Sequence, residues 1–549
     1  VAKLNLTQNE NTIVLGNDNF SFTIDKNEGI PTSFIYREEE LLAGAIRPNF
    51  WRAPTLNDEV DGNGKCKWEA AGLNNLTVGP NKMIDVKRID AGHVAVSVTL
   101  DMMNRNELVL KVSQIYEVDG EGNVVVTMNV QPTDRVATFP KIGTQMLLPL
   151  QYNKVMYFGK DTENYPDRAL AGRVGVYENN ASDFFEMHEE PQESGNRTDV
   201  RWVAISNRLG KGLFISGKQN LNFSIYRYSD ADLTRAKRIN QIKPAEYWTV
   251  NVDYKQAPLG TATCGPDALD KYLIKNDVYE YSFRMRPYEA EEVSPQELYK
   301  QGVFDVVKTL PMPEITASSE VFNHKMKVTV KAKGNAKVYY TLDGTEPTQN
   351  SKLYTQPFEI NSNVTVKAKA YDGKAVPSFT AVKTFERIYI KNTTFEKEPA
   401  ENYSANKAIA LMDKKIGTPG NWRENWLGFN GDNLDAIIEL SDPMEIQVLF
   451  ITYGIAFDQW VLAPKRITVS TSTDGVRYTE PVEAKFAMYD GKKGEFRREA
   501  RALLGEQNVR FIKLHVENLG VLPEKHPYAG EKSWIMVDEL RINNEKKIK

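Results

Sequence analysis

The residues best able to do chemistry are scattered along this chain. The five histidines (His93, His188, His324, His515 and His526) never pair as His-x-x-x-His, and Cys66 and Cys264 stand nearly 200 residues apart. Neither set has the spacing of a zinc site or a disulfide framework. A chain this poor in cysteine fits any redox compartment. No phosphate-cradling Gly-x-x-x-x-Gly-Lys motif, dinucleotide fingerprint or Gly-x-Ser-x-Gly elbow occurs, which sets aside the nucleotide-binding and serine-elbow classes. Glycosidic-bond cleavage needs two flanking carboxylates, one an acid and one a nucleophile or base. The 73 acidic residues supply pairs that spacing cannot single out. Asn-Glu dipeptides at 9–10, 27–28, 106–107 and 544–545 lie in turn-like or surface-strand settings and read as solvated. Sugar epimerisation would want a His and Glu pair. Only His93 and His188 fall in the first 290 residues, and His188 sits in the solvated acidic run FFEMHEEPQE.

Two dense polar segments stand out instead. One is RPNFWRAPTLNDEVDGNG (47–64), followed by KWEAAGL (67–73); the other is FGKDTENYPDRALAGR (158–173). Pro48 and Pro54 stiffen the first, and Phe50 and Trp51 can anchor it in a core. This is the composition of an ordered loop, and ordered loops on rigid scaffolds are where binding sites sit.

The elements that would position these loops are strands. HVAVSVTLDM (93–102), NVVVTMNVQP (123–132) and KVTVKAKG (327–334) alternate apolar and polar residues, the period of a half-buried strand. Asp119-Gly120, Asp343-Gly344, Asp372-Gly373 and Asp474-Gly475 punctuate them as turns. Helical periodicity is scarce. The best candidate is 294–308, with Ser294 as N-cap, Pro295 at the first position and Glu297 completing a capping box. Domain-sized counting of roughly 100–200 residues each gives three or four units. LPMPEI (310–315) and the polar stretch 390–404 divide the chain. With 69 basic against 73 acidic residues, no strong pull toward nucleic acid or anionic membrane is expected. No run reaches about 18 apolar residues, so no membrane span is expected. The first residues lack both a signal-peptide pattern and an initiator Met, the mark expected of a processed or excised piece.

Asn49-Phe50-Trp51-Arg52-Ala53-Pro54-Thr55, Asn57-Asp58, and Trp68 with Ala70-Ala71-Gly72 form one motif. Glu163-Asn164-Tyr165-Pro166-Asp167-Arg168 forms a second, and Tyr254 with Leu259-Gly260-Thr261-Ala262-Thr263-Cys264-Gly265-Pro266 a third. In order and spacing, over roughly residues 10–290, these resemble the small-chain domain of glycoside hydrolase family 2 β-galactosidases of the lac type. The resemblance implies a large antiparallel super-sandwich, packed in the family beside a catalytic (β/α)₈ barrel that holds both glutamates and the Mg²⁺ site. No barrel pattern occurs here, so no catalytic residue is assigned to this chain. The implied pocket-edge residues are Asn57, Asp58, Asn164, Arg168 and Cys264. Cys264 stands where the family carries a tryptophan against the sugar; read by residue type alone, it is a small buried hydrophobe.

Val338-Tyr339-Tyr340-Thr341-Leu342-Asp343-Gly344-Thr345-Glu346-Pro347-Thr348, Leu353-Tyr354 and VTVKAKAYDG (364–373) resemble a chitobiase/hexosaminidase C-terminal immunoglobulin-like module, which implies a spacer. Ala410-Leu411-Met412-Asp413, Asn425-Trp426-Leu427-Gly428, Ala436–Leu440, Pro464-Lys465-Arg466-Ile467, Ser470, Asp474-Gly475, and Trp534 with Asp538-Glu539-Leu540 resemble the discoidin or coagulation-factor C-type fold. That likeness implies Ca²⁺ held by Asp413 and Glu539, with carbonyls completing the six to eight oxygens. It also implies sugar binding on exposed rings: Phe457, Trp460, His526 and Tyr528, with Trp422 as a further ring and Arg466 beside them, while Trp426 and Trp534 fit the core. The expected fold is all-β. It comprises a super-sandwich at 1–290, a helical connector at 291–312, an immunoglobulin-like module at 313–388 and a discoidin-like jelly roll at 389–549. The expected function is the non-catalytic part of a periplasmic or extracellular retaining β-galactosidase, partnered by its barrel and by β-galactosides. A stand-alone carbohydrate-binding adhesin is the alternative.

Overall fold

Alternating patterns become strands almost throughout the computed structural model, which describes residues 2–304, 308–486 and 494–543. The Asn-Glu pair at 544–545 lies outside the described residues. One compact unit runs to Leu310 and takes in Gly373–Phe379; the other begins at Pro311 and takes in the chain from Thr380.

The first unit is an all-β super-sandwich. Five strands from Asn5–Gln8 to Glu39–Glu40 form an antiparallel meander. Twelve more build a large antiparallel sheet, with the expected strands His93–Asn104 and Val124–Pro132 inside it. Val124–Val130 is buried on both faces apart from Thr127, which is why that stretch is nearly continuous in apolar residues. Phe22 packs edge-on to Phe34 at 5.2 Å and lies 6.2 Å from Tyr116, all three fully buried. The Asp119-Gly120 turn forms, with Asp119 Oδ1 accepting from the Glu121 and Asn123 amides at 2.9 Å. Its left-handed residue is Gly122, however, at φ 82°.

The predicted helix is real but short. Ser294 and Glu297 exchange their capping-box hydrogen bonds, and the helix spans Pro295–Lys300; of its predicted extent, 305–307 lie outside the described residues. Leu298 joins Trp202, Ala204, Phe214 and Tyr288 in one apolar cluster. The segment is thus packed on the first unit. Three further short helices, Leu56–Val60, Lys65–Ala71 and Asp230–Arg235, carried no periodic signal because each is only one to two turns long.

In the second unit, a three-stranded and a five-stranded sheet bury Val328, Val330, Val338, Tyr340, Val366, Ala368 and Phe385, and Tyr340 of the larger sheet stacks on Phe358 of the smaller at 4.6 Å. Asp343-Gly344 makes the expected turn, with Asp343 Oδ1 accepting from the Thr345 amide at 3.0 Å and Gly344 at φ 83°. Beyond it, a seven-stranded jelly-roll-type sandwich is built around two 23-residue strands, Leu434–Ala456 and Glu495–Glu517. They pair along their length and shift register at Glu439/Met444 and Ile446/Val448. The patterns at 436–440 and 448–454, which read as two strands, are two arms of one bent strand. Ser441-Asp442-Pro443 bends it rather than ending it.

Candidate functional site

The first unit's motifs meet at one loop, 257–268. Arg52 is fully buried. Its Nη2 donates to Asp58 Oδ1 at 2.8 Å and Oδ2 at 2.9 Å, and its Nε reaches Oδ2 at 3.2 Å. Nη1 donates to the Ala257 carbonyl and Nη2 to the Pro258 carbonyl, both at 2.8 Å. Asp58 in turn closes a capping box with Thr55 at the start of Leu56–Val60. The second motif grips the next two residues. Asp167 accepts from the Leu259 amide at 3.0 Å and the Gly260 amide at 2.9 Å, while Arg168 Nη2 donates to the Gly260 carbonyl at 3.0 Å. Asn57 Nδ2 donates to the same carbonyl at 3.1 Å, and Asn57 Oδ1 accepts from the Thr263 amide and hydroxyl at 3.0 and 2.7 Å. Asp61 accepts from the Ala268 amide at 2.8 Å and Asp267 from the Gly62 amide at 3.2 Å.

The chain is therefore held at both ends of Thr261–Pro266, and those six residues lie at the surface. Cys264 is exposed, not the buried hydrophobe its type suggested. Apart from the Thr263 hydroxyl, the anchoring acts on backbone amides and carbonyls, which leaves the Cys264 side chain outward. Asn164 is buried and shapes the second motif, donating to the Arg168 and Ala171 carbonyls at 2.7 and 2.9 Å. Asp58 and Asn164 thus turn their polar atoms inward, while Asn57 and Arg168 touch the loop itself. The roles of Arg52, Asp61 and Asp167 leave little signature in the sequence, because the groups they hold in 257–268 are main-chain amides and carbonyls.

Behind the loop lies a buried ionic layer. Lys141 and Asp253, both fully buried, pair at 3.1 Å. An added Cβ on Gly143 would come within 1.8 Å of Asp253 Oδ1, so the bulged strand needs glycine there. Glu193 accepts from Gln256 Nε2 at 3.2 Å. Burial pushes its carboxyl up to about 7 against the opposing pull of Lys141 and Arg52, and pushes Asp253 up to about 6.

In the jelly roll, four predicted residues come together. Phe457 lies 4.5 Å from His526, Trp460 lies 5.4 Å from Tyr528, and His526 lies 6.1 Å from Tyr528. His526 is buried. Its Nε2 donates to the Phe457 carbonyl at 3.0 Å and its Nδ1 accepts from the Tyr528 amide at 3.0 Å, so it is the pillar of the group rather than a stacking surface. Tyr528 is 60% exposed. Trp460 adopts φ 66°, a backbone conformation that is a marked outlier for a bulky side chain and clusters at ligand sites. Arg466 pairs with Glu517 at 3.2 Å rather than with these rings. Trp422 is buried against Trp426 at 5.0 Å, so both are core residues.

Asp413 and Glu539 also meet. The amides of Lys415 and Lys414 donate to Asp413 Oδ1 at 2.9 Å and Glu539 Oε1 at 3.2 Å. Glu539 Oε2 is buried without a hydrogen-bond partner among the described residues. Burial, then the charge of Asp413, pushes the Glu539 carboxyl up to about 9. Among the described residues no group of three or more His, Cys, Asp or Glu side chains is gathered for a metal. The orphaned oxygen and paired carboxylates nonetheless suit a hard cation completed by backbone carbonyls.

A super-sandwich with a motif-clamped surface loop defines the class of the first unit. Residues 16–285 match the family model described as Beta galactosidase small chain, and residues 327–385 match one described as Fn3 associated. A β-galactosidase of Priestia megaterium is 30% identical over 297 residues, covering 52% of this chain and 27% of that protein. One from Actinobacillus pleuropneumoniae is 25% identical over 269 residues, covering 49% and 26%. Among solved structures, a galactose 1-epimerase from Lactobacillus acidophilus is 12% identical with a TM-score of 0.30, covering 53% of this chain and all of that one. The N-terminal half of the chain is thus similar to the small-chain region of β-galactosidases. The chain spans about a quarter of the length of these curated relatives.

Replacing Arg52 by Leu strands Asp58 in the interior and should cost the first unit about 3–5 kcal/mol. Urea unfolding would measure the loss, and limited proteolysis should show new cleavage within 257–268. In the jelly roll, the raised Glu539 carboxyl means the folded state binds a proton more tightly than the unfolded chain. Its stabilising contribution is complete below the ordinary carboxylate range and is lost as pH rises toward about 9. In metal-free buffer the tryptophan-monitored unfolding midpoint should fall across that window, and Glu539→Gln should flatten the fall.

Proposed function

We propose that this chain is the non-catalytic part of a retaining β-galactosidase, in which loop 261–266 forms one wall of the galactoside pocket. The acid and nucleophile glutamates, with their Mg²⁺, belong in this reading to a barrel outside these residues. One observation carries the proposal: two motifs about 110 residues apart converge on one short exposed loop, with Arg52 and Asn57 of the first and Asp167 and Arg168 of the second all bonded to residues 257–263. So much rigidity is of little use to a solvent-facing turn, but it suits a surface that must sit within a fraction of an ångström of a bound sugar.

The jelly roll, in the same reading, is an accessory carbohydrate-binding module. Trp460 and Tyr528 offer the ring faces, and the strained backbone of Trp460 supports a ligand-facing role. Asp413 and Glu539 would hold Ca²⁺, whose charge would replace the proton that otherwise neutralises the pair. The pairing of exposed Tyr528 with half-buried Trp460 also supports the second reading, a stand-alone glycan-binding protein.

The chain alone should show no turnover of a chromogenic β-galactoside; turnover that survives repurification would sink the proposal. Joined to an upstream barrel, Asn57→Ala should raise KM by about tenfold with a smaller effect on kcat. An unchanged KM would remove the loop from the pocket. For the jelly roll, millimolar Ca²⁺ should raise its unfolding midpoint and EDTA should reverse the rise, an effect absent in Glu539→Gln.

A further inference from the structure

Glu193 stands apart from the other buried carboxylates of the first unit. It is 3% exposed and lies just before the strand Arg197–Ser206. Its Oε1 accepts from Gln256 Nε2 at 3.2 Å and from the Tyr165 hydroxyl at 3.4 Å, and its amide donates to the Ala53 carbonyl at 3.2 Å. One residue thus touches the segment that carries Arg52, the segment that carries Asp167 and Arg168, and the residue directly before the clamped loop 257–268. These are the pieces that hold the loop.

The charges around it are already committed. Arg52 pairs with Asp58 at 2.8 Å and Lys141 with Asp253 at 3.1 Å. Asp230 accepts from Gln145 Nε2 at 2.9 Å and from the Tyr226 hydroxyl at 2.6 Å. Glu163, on the far side of Tyr165, accepts from the Ser194 hydroxyl at 3.1 Å and the Gly195 amide at 2.8 Å. Glu193 is left with neutral donors on Oε1, and its Oε2 has no hydrogen-bond partner among the described residues. As a neutral acid it keeps both donors. Once ionised it adds an unpaired negative charge to a dry layer in which each cation already has its carboxylate, and such a charge is costly unless water reaches it. Burial pushes its carboxyl up to about 7 against the pull of Lys141 and Arg52, with Asp230 and Asp253 adding to the rise. A raised carboxyl favours the closed arrangement fully below the ordinary carboxylate range, and that contribution is lost as pH rises through about 7.

We propose that Glu193 is the positioning residue of loop 261–266: as a neutral acid it joins the three segments, and on giving its proton to solvent it draws water between them and loosens the loop. Its bearing on galactosides rests on the pocket reading above; the response of the loop does not. Cys264 and Cys66 are both exposed, so a nitroxide label on Cys264 in a Cys66→Ser background reports the loop in the full chain, with no barrel and no substrate. The mobile component of its spectrum should grow about fivefold with a midpoint near pH 7. Loss of a protonated-carboxyl C=O band in pH-difference infrared spectra should follow the same curve. Glu193→Gln, which keeps the neutral shape and the acceptor, should hold the loop throughout and abolish both steps, while Glu193→Ala should leave the loop mobile throughout. The proposal is overturned by a label spectrum that stays constant across the window or by a step near pH 7 that persists in Glu193→Gln. Should that variant not fold, infrared and label curves of the parent chain that fail to coincide overturn it equally. With the chain joined to an upstream barrel, KM relative to that of Glu193→Gln should rise about fivefold across the same window while relative kcat holds. A loop that responds while relative KM stays flat upholds the role of Glu193 and removes the loop from the pocket.

Discussion

The buried guanidinium of Arg52 is the constraint on which the first unit's functional surface rests. A charge without access to water costs several kcal/mol unless every donor finds a partner. Here the partners come from its own turn (Asp58) and from the end of a distant strand (Gln256, Ala257 and Pro258). Satisfying one charge therefore locks two remote segments together. Arginine is required for geometric reasons, since only a planar fork can serve a carboxylate on one edge and main-chain carbonyls on the others. The Trp68 ring, 5.5 Å from the guanidinium and packed against Trp51, closes the remaining side. The sequence pattern Trp51-Arg52 followed by Trp68 is thus one physical object, a charge and its lid.

That dependency explains what was legible from sequence and what was not. Strands were legible because burial on one face imposes alternation, and the blocks 47–64 and 158–173 were legible as blocks. The acceptors and donors that tie those blocks to 257–260 are backbone atoms, which leave no residue-type signature. For the same reason Cys264 was misread: burial was inferred from side-chain chemistry, but the loop is held by its main chain. His526 shows the converse error. A ring near exposed rings looked like part of a platform, yet its two nitrogens are consumed by the Phe457 carbonyl and the Tyr528 amide. One-turn helices such as Leu56–Val60 escape periodicity because two turns are needed before a repeat can show.

The jelly roll carries two unfavourable features beside an apolar, well-filled sheet core. One is the left-handed backbone of Trp460; the other is a buried carboxylate pair with an orphaned oxygen. Both persist only where surrounding structure over-determines them, and both are features that a ligand or cation would relieve. The strained Trp460 backbone and the unsatisfied Glu539 oxygen are features that the module's apolar packing does not require.

Net charge deserves the same separation. A total of −4 over 549 residues argues against polyanion binding only if charge is spread evenly. Screening confines each charge to about 10 Å at moderate ionic strength, so a ligand on one sheet face responds chiefly to the charges of that face. The relevant quantity is then the charge of a face, set by strand register. Because side chains alternate with period two, a one-residue slip of Lys337–Thr341 would turn Lys337 and Tyr339 into the core and bring Val338 and Tyr340 out. The inward pair Val338 and Tyr340, buried and with Tyr340 stacked on Phe358 at 4.6 Å, thereby fixes which residues meet solvent. The apolar core of the module determines its electrostatic face.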